Sequence, residues 1–247
     1  MSEPRARSAR RPGRPRSQHF LRSRSLAAEL VRDSGLGCDD LVLDLGAGTG
    51  RLTAELARVA RRVVAVELDR GLASRLRRWE NVEVVYADAA AVELPREPFR
   101  VVANLPFAST TAILRHLLDD PRVPLVRADV IVEWGVSVKR ALPWPSTVND
   151  VLWGAWYSTA VARRLPRSAF DPAPSVDAGV LLFERRAYPL VPEAQWQRYR
   201  GFVAGGFRRP HSVGLRAAPR DLDAHEWAGL FSRSRSSGAA ASRRSSP

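Results

Sequence analysis

From residue 39 to residue 134 the chain repeats one pattern: a short apolar run, a polar break, then a stretch with helical spacing. DDLVLDLG (39–46) reads as a strand and RLTAELARVA (51–60) as a helix. RRVVAVEL (61–68) and RGLASRLRRW (70–79) repeat the pair. NVEVVYAD (81–88) and FRVVANLP (99–106) read as strands, STTAILRHLLDD (109–120) as a helix and RADVIVEW (127–134) as a fifth strand. Apolar runs this short, alternating with helices, imply crossover units, so the predicted class is α/β with a mostly parallel sheet. YSTAVARRL (157–165) and DAGVLLFERR (177–186) have no long helical pattern between them and predict an antiparallel pair closing one sheet edge. From about Tyr188 the spacing turns helical again, through PEAQWQRYRGFVAGGF and DLDAHEWAGLFSR. The predicted organisation is one α/β domain over residues 17–186 and a small helical, RNA-binding domain over 187–232.

The flanks are different. Residues 1–16 and 233–247 are rich in Arg, Ser and Pro or Gly, almost without large apolar side chains, and predict disordered arms. Such polycations serve either as non-specific phosphate contacts or for solubility alone. The whole chain carries a net charge of +13, and Lys139 is its only lysine. That excess calls for an anionic partner, most simply a nucleic acid. No apolar run approaches the roughly 20 residues that span a bilayer, and the Arg-rich start lacks the apolar block of a secretory signal. A cytoplasmic protein with no membrane partner is expected. With one cysteine and four scattered histidines, neither an internal disulfide nor a zinc site is expected.

Between the first strand and the first helix lies LDLGAGTGRLT. Gly46, Gly48 and Gly50 permit a tight turn and close approach of a ligand to backbone. The dinucleotide pattern G-x-G-x-x-G fails, because its sixth position is Arg51, and no G-K-[ST] follows. Asp44, just before the glycines, suits a cationic ligand better than a phosphate. Glu67 follows at the end of the second strand, where a carboxylate can accept both ribose hydroxyls. Asp88 ends the third, where it can accept from the amino group of an adenine. Acids at three successive strand ends mark the ligand crevice of an open α/β sheet. The ligand that fits is an adenosine with a cationic, phosphate-free group: S-adenosylmethionine.

SQHFL (17–21), LDLGAGTG, VELD, YAD, NLPF with STTAILRHLL, and FDPAPSVDAGVLLFERR follow one another in order. Over roughly residues 17–186 the chain thereby resembles the rRNA adenine N6-methyltransferases. RLPRSAFDPAPSVDAGVLLFERR and EWGVSVKRA are more similar to the macrolide–lincosamide–streptogramin B resistance methylases (the Erm group) than to the small-subunit rRNA dimethylases. The resemblance implies a Rossmann-like class I methyltransferase sheet with a small helical domain, S-adenosylmethionine as cofactor, and an adenine of 23S rRNA as target. It implies that the chain acts as a monomer on naked or precursor RNA. It further implies that Gln18, His19 and Leu21 lie over the cofactor, that Gly46 meets its methionine end, and that Glu67 holds the ribose and Asp88 the adenine. Asn104 would touch both cofactor and target base, and Phe107 would stack on the base. The family generally has Asn where this chain has His19, and often Tyr where it has Phe107. The alternatives are a small-subunit (16S) rRNA dimethylase and a non-catalytic RNA binder on the same scaffold.

FRVVANLPFAST also carries a chemical reading of its own. An adenine amine is a poor nucleophile because its lone pair is delocalised into the ring. Acceptors that draw the nitrogen toward tetrahedral geometry help it attack a methyl group in line. The Asn104 amide oxygen and the Leu105 backbone carbonyl can each take one N–H, and Pro106 sets the turn without donating an N–H. A stacked base cannot be reached, so it must be extruded, and Phe107 offers it a flat face. In LPWPSTVNDVLWGAWYS, Trp153 and Trp156 are three apart and are expected in the core. FRRPHS (207–212) and RRLPR (163–167) are either phosphate contacts or solvated faces.

Overall fold

The computed structural model describes residues 18–213 and 217–243; the Arg-rich arm of residues 1–16 lies outside the described residues. In chain order the strands are β1 (Phe20–Leu21), β2 (Leu41–Leu45), β3 (Arg62–Val66), β4 (Val82–Val85), β5 (Phe99–Asn104), β6 (Leu125–Glu133), β7 (Tyr157–Leu165), β8 (Phe170–Asp171) and β9 (Ala178–Arg185). The α-helices are α1 (Arg24–Asp33), α2 (Arg51–Leu56), α3 (Arg70–Ala73), α4 (Thr110–Leu118), α5 (Trp134–Ala141), α6 (Val148–Trp156), α7 (Trp196–Arg208) and α8 (Ala224–Arg243).

Seven strands form one sheet in the order β4-β3-β2-β5-β6-β9-β7, and β1 pairs with β8 in a separate two-stranded ribbon. The pairs from β4 to β6 are parallel, and β9 runs antiparallel between β6 and β7. The expected parallel sheet and its closing antiparallel pair are both present. The strand order reverses between β2 and β5, so a crevice opens at the carboxyl ends there, where open α/β sheets bind ligands.

The strands are apolar because the sheet is covered on both faces. Leu41, Leu43 and Leu45 of β2 join Val101 and Ala103 of β5 in one cluster with α4 and the C-terminal helices. Val42 and Val102 point the other way, into a cluster with α1 and α2. Alternate residues of each strand thus feed opposite layers. α1 starts at Ser23, whose side chain caps the Leu26 N–H, and buries Ala27, Leu30 and Val31 at helical spacing. α6 is closed by a capping box between Thr147 and Asp150, and Asp150 is paired with Arg140. Trp153 and Trp156 are buried, as the sequence predicts, and Trp153 Nε1 donates to Asp119 Oδ1 at 2.9 Å.

The first cluster continues without a break into α7 and α8 through Tyr199, Val203, Trp227 and Phe231. Their rings meet edge to face, Tyr199 at 5.9 Å from Trp156 and 5.3 Å from Phe231, and Phe207 stacks on Trp227 at 5.6 Å.

Three of the elements expected from sequence differ in their bounds. The helix expected over 70–79 ends at Ala73, and the backbone continues in i→i+3 turns (Arg75 to Leu72, Leu76 to Ala73) that bury Leu76. The third strand ends at Val85, so Asp88 lies three residues beyond it. α8 runs to Arg243, into the stretch expected as a disordered tail from 233. No proline interrupts that stretch before Pro247, and three successive alanines favour helix.

Candidate active site

The cavity at the carboxyl edge is assembled from five segments. β2 ends at Leu45, and the chain turns through Gly46, Gly48 and Gly50, all at positive φ. Two of these glycines matter for close approach. A Cβ on Gly46 would stand 3.0 Å from the Pro106 ring, and one on Gly48 only 2.6 Å from the ring of Phe20. The loop is pinned to β3 by the N–H groups of Gly46 and Ala47, which both donate to the Val66 carbonyl (2.9 and 3.0 Å).

Glu67 follows β3 directly and is buried. Its Oε2 accepts the Gly48 N–H at 2.7 Å and its Oε1 the Asp69 N–H at 2.8 Å. Each oxygen keeps a second lone pair. Asp88 Oδ1 accepts the Ala90 N–H at 2.9 Å, so a turn after β4 fixes its direction. Val66, Leu68, Ala87, Ala89 and Ile113 give the cavity apolar walls between the two acids.

β5 ends at Asn104, and Leu105 to Phe107 form the floor opposite. Leu105 N–H donates to the Ile131 carbonyl at 3.1 Å, holding the turn to β6. Phe107 opens a short 3-10 turn that runs into α4. Asn104 Nδ2 donates to the His19 carbonyl at 2.7 Å, while its buried Oδ1 finds no donor among the described residues. A buried amide oxygen left without a donor costs about 1–3 kcal/mol, so this atom is an acceptor held ready for a ligand.

The fifth segment crosses the mouth. β1 pairs with β8, Phe20 opposite Asp171 and Leu21 opposite Phe170, which lays residues 18–20 over the cavity. His19 Nδ1 bonds the Pro172 carbonyl at 2.8 Å, and its ring lies 5.4 Å from that of Phe107.

Of the residues singled out from sequence, Gln18, His19, Gly46, Glu67, Asp88, Asn104, Leu105 and Phe107 line this one cavity. Leu21, Gly48 and Gly50 do not. Leu21 is buried in the apolar cluster with α1, Gly48 makes room for Phe20, and a Cβ on Gly50 would meet Leu76 at 2.5 Å. Asp44 is also beneath the loop rather than in the cavity. It accepts from Thr53 Oγ1 at 2.6 Å, and burial, with a smaller push from the Glu67 charge, raises its carboxyl to about 7 against the Thr53 bond. Phe20 was not identified from sequence. Its only signal is the glycine that must stand against it. In the RRLPR stretch, Arg163 is paired with Glu29 at 2.8 Å and Arg164 with Asp177 at 2.8 Å.

Among the described residues, neither Arg nor Lys lines the cavity, although the chain as a whole is strongly basic. Two carboxylates and an unpaired amide oxygen suit a ligand with positive charge and hydroxyl or amine donors, and they oppose phosphate. The residues therefore fit S-adenosylmethionine: apolar walls for a purine, acids for its amino and ribose groups, and a glycine turn at the far end.

The chain is similar to known proteins over most of its length. The family model of ribosomal RNA adenine dimethylase matches residues 14–212. An rRNA adenine N-6-methyltransferase of Corynebacterium diphtheriae is 36% identical over 189 residues, 75% of this chain and 74% of that protein. The mycinamicin-resistance protein MyrB of Micromonospora griseorubida is 31% identical over 239 residues, 87% of this chain and 76% of that protein. A ribosomal RNA small subunit methyltransferase A of Streptomyces avermitilis is 34% identical, covering 84% of this chain and 75% of its own length. The crystal structure of the 23S rRNA methyltransferase ErmE superposes with a TM-score of 0.73 at 29% identity, over 87% of this chain and 98% of that one. No helix among the described residues is long and apolar enough to cross a membrane. The chain belongs to the ribosomal RNA adenine dimethylase family, as an Erm-type, S-adenosylmethionine-dependent rRNA adenine N6-methyltransferase.

Proposed function

We propose that the chain methylates N6 of a specific adenine in 23S rRNA and thereby confers resistance to macrolide, lincosamide and streptogramin B antibiotics. The observation that carries the reading is the Oδ1 of Asn104, unpaired among the described residues and set beside Phe107 at the mouth of a cavity that no described Arg or Lys lines. The likeness to the 23S rRNA methyltransferase ErmE supports the large-subunit target, and that to the mycinamicin-resistance protein MyrB supports the resistance.

When bound, S-adenosylmethionine supplies an electrophilic methyl group. The protein's part is positioning. Asn104 Oδ1 accepts one N–H of the target amine and the Leu105 carbonyl accepts the other, which turns the nitrogen lone pair toward the methyl. The Asn104 amide keeps this orientation because its Nδ2 is tied to the His19 carbonyl. Phe107 stacks on the extruded base, an interaction worth about 1–3 kcal/mol. Glu67 offers its free lone pairs to the ribose and Asp88 its second oxygen to the cofactor's adenine. Gln18 and His19 cover the cofactor. Leu21, Gly48 and Gly50 act one step back, by anchoring β1, admitting Phe20 and seating the turn before α2. The chain works as a monomer, in the cytoplasm, on naked or precursor rRNA.

Naked 23S and 16S rRNA, incubated side by side with the protein and S-adenosylmethionine and mapped by primer-extension stops, test the proposal. Stops at one adenine of 23S are expected. Modification confined to 16S overturns the proposed target and makes the chain a small-subunit dimethylase.

A further inference from the structure

Methylation leaves the target nitrogen with a surplus proton, and the positioning groups described above only accept hydrogen bonds. We propose that the imidazole of His19 takes this proton through Nε2; the inference rests on the adenine-methylating reading above.

The tautomer follows from the contacts. A carbonyl only accepts, so the 2.8 Å contact between His19 Nδ1 and the Pro172 oxygen puts a hydrogen on Nδ1. In the neutral ring the lone pair then lies on Nε2, for which no hydrogen bond is found among the described residues. The same residue borders both groups that hold the base. Its carbonyl receives Asn104 Nδ2 at 2.7 Å, and its ring leans on Phe107 at 5.4 Å with a 44° tilt. Among the described residues, the other titratable groups of the cavity are Glu67 and Asp88. They follow β3 and β4, two and three strands away from β5 in the sheet order, or about 10 and 14 Å at the usual strand spacing. Both oxygens of Glu67 already receive backbone N–H groups. That leaves His19, in contact with both Asn104 and Phe107, as the group we assign to the proton.

The step balances. The N6 lone pair forms the new N–C bond, and the methyl carbon's bond to sulfur breaks with its electron pair left on sulfur. N6 then bears a positive charge and two hydrogens. One N–H bond breaks, its electrons return to N6, and the proton joins Nε2. The resulting imidazolium strengthens its Nδ1–H bond to Pro172 and releases the proton to water from its half-exposed site at the mouth.

The test uses the full chain, saturating S-adenosylmethionine and whichever rRNA the wild type methylates. His19→Gln keeps a donor for Pro172 and bulk against Phe107 but has no basic nitrogen; His19→Ala leaves space for added imidazole. Single-turnover transfer is expected to slow about 100-fold in both, the low end for acid–base groups. Added imidazoles of similar size should restore His19→Ala in order of their basicity. Nitrogen-15 spectra of the wild-type ring should show Nδ1 protonated and Nε2 bare. Wild-type turnover in His19→Gln, a slow His19→Ala that imidazoles do not restore in that order, or a ring protonated at Nε2 alone would each overturn the acceptor role while leaving the methyltransferase reading intact. A wild-type protein that methylates neither rRNA overturns both together.

Discussion

Two of the places where described residues bury a polar atom without a partner do so to opposite effect. At the cavity, Asn104 Oδ1 stands alone while its Nδ2 is clamped to His19. In the aromatic layer where α6 meets α7 and α8, Trp156 Nε1 and Tyr199 Oη are also alone, but packed rings surround them. The local cost is alike, about 1–3 kcal/mol for each buried group. The Asn104 oxygen faces the cavity, so on the proposed reading its cost is recovered in the complex. The indole and the phenol face carbon, so theirs is not. An unsatisfied atom points to function only when a cavity adjoins it and a second bond holds it in place.

The strongest way to break this comparison is Asn104→Ala. Loss of the preorganised acceptor should lower the rate of transfer by about 10²- to 10³-fold, the range for removing one positioned hydrogen-bonding group at a reacting centre. RNA binding, measured by filter retention, should stay within about twofold, since Phe107 remains and no basic residue is touched. Transfer close to the wild-type rate would remove Asn104 from the chemistry.

Asp44 sharpens the comparison, because it is a buried polar group at the site that does have a partner. Its carboxyl is raised to about 7 from an ordinary value of 3.8, mainly by burial. The folded chain therefore holds a proton there between about pH 4 and pH 7 that the unfolded chain has lost. By linkage, this group's contribution to stability falls as pH rises through that window, by on the order of 4 kcal/mol as a ceiling. Asp44→Asn removes the titration and keeps an oxygen for Thr53. Urea unfolding of the variant should lose this downward slope between pH 4.5 and 7.5 and gain on the parent at the upper end. A parent and variant with parallel pH profiles would show that Asp44 stays ionised in the fold.

The cavity half was more legible in the sequence than the aromatic half, for physical reasons. A buried parallel strand needs an apolar run, and its end shows as the first polar residue, so Glu67 and Asn104 announced themselves. Asp88 was legible as an acid near the edge, though the strand stops three residues earlier. Leu21, Gly48 and Gly50 could not be separated from true lining residues. A glycine at positive φ looks the same whether a ligand or Phe20 approaches it. β1 and β8 have two residues each, too few for any periodicity. α6 escaped because tryptophans at helical spacing sit among Pro, Ser and Thr. Its capping box lies in STVND, where the polar residues read equally well as a loop.

The smallest effect tests the aromatic side. Burial pushes the Tyr199 hydroxyl well above the ordinary phenol range, with no partner to offset it. Tyr199→Phe keeps the ring and its edge-to-face contacts with Trp156 and Phe231, and removes only the unpaired group. The variant should gain about 1 kcal/mol, a rise in Tm of about 2–4 °C for a chain of this size, with transfer unchanged because Tyr199 does not line the cavity. Asn104→Ala, by contrast, relieves an unpaired oxygen but also loses the Nδ2 bond to the His19 carbonyl, so it should leave stability nearly level and abolish most transfer. A Tyr199→Phe variant that loses 1 kcal/mol or more would mean that the hydroxyl is bonded in solution. The two regions would then differ in whether they are satisfied, not in what their unpaired atoms face.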